Sequence, residues 1–511
     1  MKKIMTISLL LAAVLTILTG CSDGTKKDGE KNTSGGGSVV VGITQDLDSL
    51  DPHKAVAAGT KEVLYNIFEG LVKPDKDGNL VAAVAESYQV SEDGMTYTFV
   101  LRPNVTFHNG KTVTAEDVIY SLKRSAGLLD TSDPEVQVVA ALSVIQTIES
   151  STNGEGKEVV TIQLSTPNTE LLGYLTCSIL PCDYTEQAAK PVGTGPFAFV
   201  SYTPMDSVVL ERNESYYGQK AHLEKVTFKI SESTDAAFVE LLGGNIDIFP
   251  YLTEDQAAQL QGQYNIEIGD MSLVQGLFLN NAVEPFNDPL VRQAMCHAVD
   301  RQGILDMISG GHGTVIGSGV YASFGAYYDA SLADKYEYDV EKAKELLAEA
   351  GYADGFSFTI VVPSNYSYHV STAQVIVEQL KKVGIEAKIQ QIEWASWLSD
   401  VYTDHNFEAT IIGLDSQLAP SDILKYYISG SPKNFINYEN AAFTETYQKA
   451  MQTVDTELKK QYYKELQAFL ADDAASVFIQ SPALLVAVNP ALGGYTFYPV
   501  YVQDMASVYY K

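Results

Sequence analysis

Histidine is the side chain best suited to metal ligation and proton transfer near neutral pH, and this chain of 511 residues has seven, His53, His108, His222, His297, His312, His369 and His405. They are scattered. No HExxH and no paired spacing occurs, so the arrangement that builds a zinc site on one helix face is missing. No serine stands in GxSxG, the turn that lifts a nucleophile above an α/β-hydrolase sheet. The glycines of "SGGHGTVIGSG", Ser309 to Gly319, suggest a phosphate cradle, but Ile316 takes the third glycine's place and no Lys-Ser or Lys-Thr follows. That stretch reads as a flexible turn. Carboxylate pairs are plentiful and none stands out by spacing. The residues give catalysis no support, and neither a metal nor a cofactor is expected.

One cysteine has chemistry written around it. Lys2 and Lys3 start the chain, an apolar run follows from Ile4 to Leu18, and the small residues Thr19 and Gly20 precede Cys21. The run is short for a membrane span, which takes roughly 20 residues to cross roughly 30 Å of hydrocarbon. It is an export leader, residues 1–20. Leu18-Thr19-Gly20-Cys21 resembles the bacterial lipobox, which implies a diacylglyceryl group on the Cys21 thiol and cleavage just before it. Two acyl chains, at about 0.8 kcal/mol per buried methylene, anchor a protein stably where one is marginal. Residues 21–38 then form a tether, polar, rich in glycine and unable to bury enough surface to offset ordering. The expected location is the outer face of the cytoplasmic membrane.

The remainder is globular in composition and too long for one core, so two or three domains are expected. There are 34 basic and 64 acidic side chains; loss of Lys2 and Lys3 takes the formal charge from −30 to −32. Such a surface repels phosphate backbones, which excludes nucleic acid as a partner. Outside the cytoplasm disulfides are permitted, and Cys177 and Cys182 in "CSILPC" either bridge or stay free, since spacing does not decide connectivity. Cys296 reads as a small core residue.

Val39 to Ile43 is a β-branched run that fits a buried strand. "MTYTFVLRP" places Tyr97, Phe99 and Leu101 on one face of a strand that Pro103 stops. In "TAEDVIYSLKR", Thr114 caps a helix whose positive first turn holds Glu116 and Asp117. Asp288 and Pro289 open another helix, over "DPLVRQAMCHAVDRQGILDMI", with Leu290, Ala294 and Ala298 as its apolar face. Strand 356–362, helix 372–383 closed by Gly384, strand 386–392 and strand 407–414 give the alternation of an α/β domain.

The block "AESYQVSEDGMTYTFVLRPNVTFHNGKTVTAEDVIYSLKR", Ala85 to Arg124, closely resembles the signature region of the extracellular solute-binding proteins of family 5, the oligopeptide and dipeptide receptors of ABC importers. Four further blocks agree in order: "SLDPHKA" with "NIFEGLV", "VGTGPFAFVSY", "FLNNAVEPFNDPLVRQAMCHAVDR" and "YDVEKAKELLAEAGY". Their physics is structural, with Gly193, Gly195 and Pro196 reading as a tight turn before a strand.

The resemblance implies an α/β fold of the periplasmic-binding-protein type, class II, with two lobes around a ligand cleft and an extra inserted domain. Mapped onto this chain, domain I comprises 39–60, 191–280 and 476–511, domain II the inserted residues 61–190, and domain III 281–475. It implies a monomeric receptor, not an enzyme, that captures oligopeptides for an ABC permease and ATPase complex. A second reading keeps the receptor and changes the cargo to a metal chelate, an oligosaccharide or another small metabolite. A third is a surface peptidase. Trp394 matches the family's aromatic wall, while Leu414 replaces a common tryptophan beside Gly413, and Gln417 stands where an aspartate holds the peptide ammonium. A glutamine lacks the charge for that bond, so either Asp415 takes the role or the ligand is not held by a free amino terminus. Trp397, the second of two tryptophans, reads as packed in the core. Ala55, Val56 and Ala57 are the domain I counterpart, small enough for a ligand's backbone to approach.

Overall fold

Val477–Val488 is apolar almost throughout, as a strand covered on both faces must be. It is shared by two halves of one sheet. Its first residues pair antiparallel with Leu273–Leu279 and Gly313–Val315, and its later ones with Asn265–Asp270 and Ile248–Phe249. The computed structural model describes residues 36–511 except 131, 132, 365, 417, 499 and 501. Cys21, the leader, most of the tether and Gln417 therefore lie outside the described residues.

Beyond the shared strand the first lobe continues through Ser38–Ile43, Lys225–Ile230, Ser207–Arg212 and Phe197–Thr203. Separate apolar clusters cover its two faces. The second lobe runs through Leu273–Leu279, Ala409–Asp415, Ser357–Pro363 and Glu386–Ile392, again with a core on each side. The fold is α/β and two-lobed. Leu273–Leu279, within the segment read from sequence as domain I, pairs along its whole length with Ala409–Asp415 in the second lobe. The lobes are joined where the two long strands cross, at residues 270–273 and 480–483.

A four-stranded antiparallel sheet, ordered Ala85–Val90, Thr96–Leu101, Glu158–Leu164, Ile145–Thr152, forms a third core with helix Ala115–Ser125. Tyr97, Phe99 and Leu101 are buried there on one strand face. Thr114 and Asp117 make a reciprocal capping box at the helix start.

Three local expectations need correction. The helix begun by Asp288 and Pro289 ends at Ala298, and a second, Arg301–Ser309, starts where the Asp300 carboxylate accepts from the Gly303 amide. Its buried face is Val291, Ala294, Met295 and Ala298, with Leu290 only partly covered, because the core lies one position round from the predicted stripe. Ser309 to Gly319 is no flexible turn, since Gly313–Val315 pairs with the shared strand. The chain bends at residues 194–196 just before strand Phe197–Thr203, as expected, and Gly193 and Gly195 also allow close approach: a Cβ would stand 2.1 Å from the Ile67 carbonyl oxygen and 2.6 Å from that of Asn66.

The strands Ser357–Pro363, Glu386–Ile392 and Ala409–Asp415 are parallel to one another, so their carboxyl ends share one edge of the second lobe. Tyr366, Trp394 and Asp415 follow or end those strands. Ligands of open α/β sheets bind at such edges.

Candidate functional site

A cavity of about 1510 Å³ opens between the lobes and the inserted domain. The first lobe contributes Lys61 and Tyr498, the inserted domain Lys73 and Tyr174, the second lobe Asp415 and Lys425.

Asp415 ends its strand, paired in register with Leu273. Its side chain is exposed to the cleft yet surrounded by protein on the cleft's walls, and this desolvation raises its pKa, with the Lys61 and Lys425 charges opposing the shift and Asp422 adding to it. Among the described residues its carboxylate has no ion pair. Asp422 does have one, its Oδ1 lying 2.9 Å from the Lys425 Nζ and accepting from the Tyr174 hydroxyl at 3.3 Å.

The 51–57 loop is held from below. Arg124 of the inserted domain donates twice to Asp51, at 2.9 and 2.7 Å. His53 is buried, its Nε2 2.8 Å from the Ser178 carbonyl oxygen, and burial with the nearby Arg124 charge depresses its pKa to about 4. The Val56 and Ala57 amides both donate to one oxygen of Asp48, at 2.7 and 3.0 Å. Those two donors are thus engaged within the loop. Ala55 and Val56 line the cavity; Ala57 does not.

Trp394 and Gly413 stand outside the cavity wall, and Leu414, 5% exposed, belongs to the core beneath it. Trp394 sits on the same sheet edge, stacked on Trp397 at 5.1 Å and meeting Tyr366 edge-on at 5.5 Å. Trp397 is fixed in the core by its Nε1 donating to Thr410 Oγ1 at 2.9 Å. Gly413 lies against the Leu273 side chain. Sequence reading missed Lys61, Lys425 and Tyr498, which come from three remote segments with no motif around them.

At the mouth, the inserted domain touches the second lobe through Glu170, 6% exposed. Its carboxylate accepts from the Tyr463 hydroxyl and the Ser421 amide, the latter at 3.0 Å, and lies 2.9 Å from the Lys459 Nζ. Thr169 adds bonds to the carbonyls of Met451 and Thr453.

Among the described residues one group could offer three metal ligands, Asp117, Cys182 and Asp183. The Lys111 Nζ lies 3.0 Å from Asp117 and 2.8 Å from Asp183 and already neutralises them. Cys177 and Cys182 are free thiols, both pushed up to about 11 by burial. No helix of the described residues is long and apolar enough to cross a membrane.

Two lobes that share a strand and face each other across an open cleft define a two-lobed α/β binding protein. Residues 79–435 match the bacterial extracellular solute-binding proteins, family 5, middle region, and the chain belongs to that family. It is 26% identical to the oligopeptide-binding protein AppA of Bacillus subtilis (strain 168), over 98% of this chain and 97% of that one. It is 27% identical to the glutathione-binding protein GsiB of Pectobacterium atrosepticum, over 90% and 92%. Among solved structures, the periplasmic binding protein DppA of Helicobacter pylori, in complex with peptide STSA, matches with a TM-score of 0.81 and 28% identity, over 93% of this chain and 98% of that one.

Proposed function

We propose that this protein is the receptor of an ABC importer for oligopeptides, acting by binding and release without chemistry on its cargo. The cleft carries this reading. Its volume of about 1510 Å³ exceeds the roughly 300–1,000 Å³ of sites for drug-sized ligands, which suits a chain of several residues. The Bacillus relative is named for oligopeptides, and the Helicobacter structure contains a peptide. The lobes close on the ligand, which stabilises the shut form through contacts to both. The permease and ATPase complex reads that closure.

Asp415 is the partner for the peptide ammonium. Ala55 and Val56 flank the peptide backbone from the first lobe, while Ala57, Trp394, Gly413 and Leu414 support the wall from behind it. The chain divides into a first lobe, with the inserted domain beginning after helix Ala58–Leu64 and ending near residue 190, and a second lobe, with the passage between lobes at 270–273. It works as a monomer on the outer face of the cytoplasmic membrane, held by a lipid on Cys21; acyl-probe label should vanish in Cys21→Ala.

Calorimetry with a mixed peptide library, then with single peptides, tests the reading. Asp415→Asn should weaken binding by about 2 to 5 kcal/mol, the usual cost of truncating one side of a buried charge pair. Amino-terminal acetylation should mimic that loss in the native protein and add little in the variant. Full affinity for acetylated peptides rejects the ammonium contact, and absence of binding across the library rejects peptides as cargo.

A further inference from the structure

The cavity wall departs from the rest of the molecule in charge. The chain has 34 basic and 64 acidic side chains, yet the wall has six basic, Lys61, Lys73, Lys76, Arg102, Lys425 and Lys433, against five acidic. The wall is thus close to neutral in a chain that is strongly acidic as a whole.

Most of these cations are already engaged. Lys73 pairs with Glu69 at 2.7 Å, Lys425 with Asp422 at 2.9 Å and Lys76 with Asp77 at 2.7 Å. The Arg102 Nε donates to the Ala83 carbonyl at 3.2 Å, and the Lys433 Nζ stands 5.5 Å from the centre of the Tyr402 ring. Lys61 differs. Among the described residues its Nζ has neither an ion pair nor a hydrogen bond, and it is exposed on the cleft side of helix Ala58–Leu64, whose Val63 and Leu64 are buried in the first-lobe core. It approaches the Asp415 end of the cavity from the opposite lobe, near enough for its charge to act on that carboxylate.

Asp422 is committed to Lys425, so among the described residues Asp415 and Lys61 are left without an ion pair at that end. Once a peptide ammonium takes Asp415, Lys61 is left as an unbalanced cation in a site closing around the ligand, and uncompensated charge in such a place is costly. The nearest anion a linear peptide can supply is the side chain of its own first residue. The terminal carboxylate of an extended pentapeptide lies about 13 Å further along.

We propose that the cleft selects peptides whose first residue carries a carboxylate, with Lys61 receiving that carboxylate across the cleft from Asp415, which receives the ammonium. This rests on the peptide reading above and narrows it. It also accounts for a near-neutral wall in a strongly acidic protein, because the cargo end is itself zwitterionic.

Calorimetry compares Glu-Ala-Ala-Ala-Ala with Gln-Ala-Ala-Ala-Ala on the native protein, on Lys61→Met and on Lys61→Arg. The Glu peptide should bind the native protein about tenfold tighter, as a charge-assisted contact in a closed site warrants. The preference should fall to within about twofold in Lys61→Met and persist in Lys61→Arg, with the Gln peptide binding Lys61→Met no more weakly than it binds the native protein. Equal affinity for both peptides in the native protein overturns the inference and leaves the peptide reading standing, as does a preference that survives in Lys61→Met. Failure of both peptides to bind the native protein overturns the two together.

Discussion

Glu62 follows Lys61 on the same short helix and faces the opposite way, into the first lobe, where it is 2% exposed. The Tyr251 hydroxyl donates to it at 2.5 Å, and burial, only partly offset by Tyr251 and Gln503, pushes its pKa from 4.5 up to about 7. The folded protein therefore holds a proton that the unfolded chain releases above 4.5. That contribution is complete below 4.5 and lost as the pH rises to about 7. Glu62→Gln should remove a burden on the order of 3 kcal/mol above neutrality and leave acid stability almost unchanged. Thermal unfolding of both proteins at pH 5 and pH 8 checks this; parallel responses would mean that the fold does not raise the pKa of Glu62. His369 acts in the other direction. Burial depresses its pKa to about 4, and the Gln275 Nε2 lies 2.9 Å from its Nδ1. Its stabilising share is present above the ordinary value of 6.5 and is lost as the pH falls through about 4.

Elements meet at Glu170, where the loop before Leu171–Tyr174 in the inserted domain contacts helix Thr456–Asp472 of the second lobe. These bonds join the inserted domain to the second lobe, so Glu170→Gln should loosen the closed state. Peptide should then dissociate roughly a hundredfold faster, since breaking a buried charge pair costs about 3 kcal/mol or more. Unfolding of the ligand-free protein should move much less. Stopped-flow dissociation beside calorimetric melting separates the cases, and a full loss in ligand-free stability would make Glu170 a fixed part of the fold. Much of this architecture was legible in the sequence wherever a local rule determines geometry. Thr114 with Asp117, Asp288 with Pro289, and Gly384 at φ 84° mark helix ends through their own backbone chemistry. The illegible parts depend on what arrives from elsewhere. Gly193 and Gly195 are small because the 66–67 backbone presses on them, and the helix after Asp288 turns its stripe toward a core that its own pattern does not reveal. The site was harder still. Asp415 could be found only by likeness to a family, whereas Lys61 and Tyr498 meet it from opposite ends of the chain, and no spacing rule spans that distance.

At the scale of the molecule the lobes are one object, because Val477–Val488 completes both sheets. That strand leaves the ribosome after all four strands it pairs with. Until it emerges, Asn265–Asp270 lacks its strand partner and Leu273–Leu279 has only Ala409–Asp415 beside it. Pairings between segments so far apart are slow in any case, since the intervening loop must close before the contact repays it. A chain ending at residue 476 should accordingly show no cooperative melting of either lobe, and a sharp transition in that fragment would show that one lobe folds alone. The proposed export as an unfolded thread gains from a shared strand made after its partners. In that proposed route the segments already made stay pliable enough to be pulled through, and the two lobes take shape together on the far side.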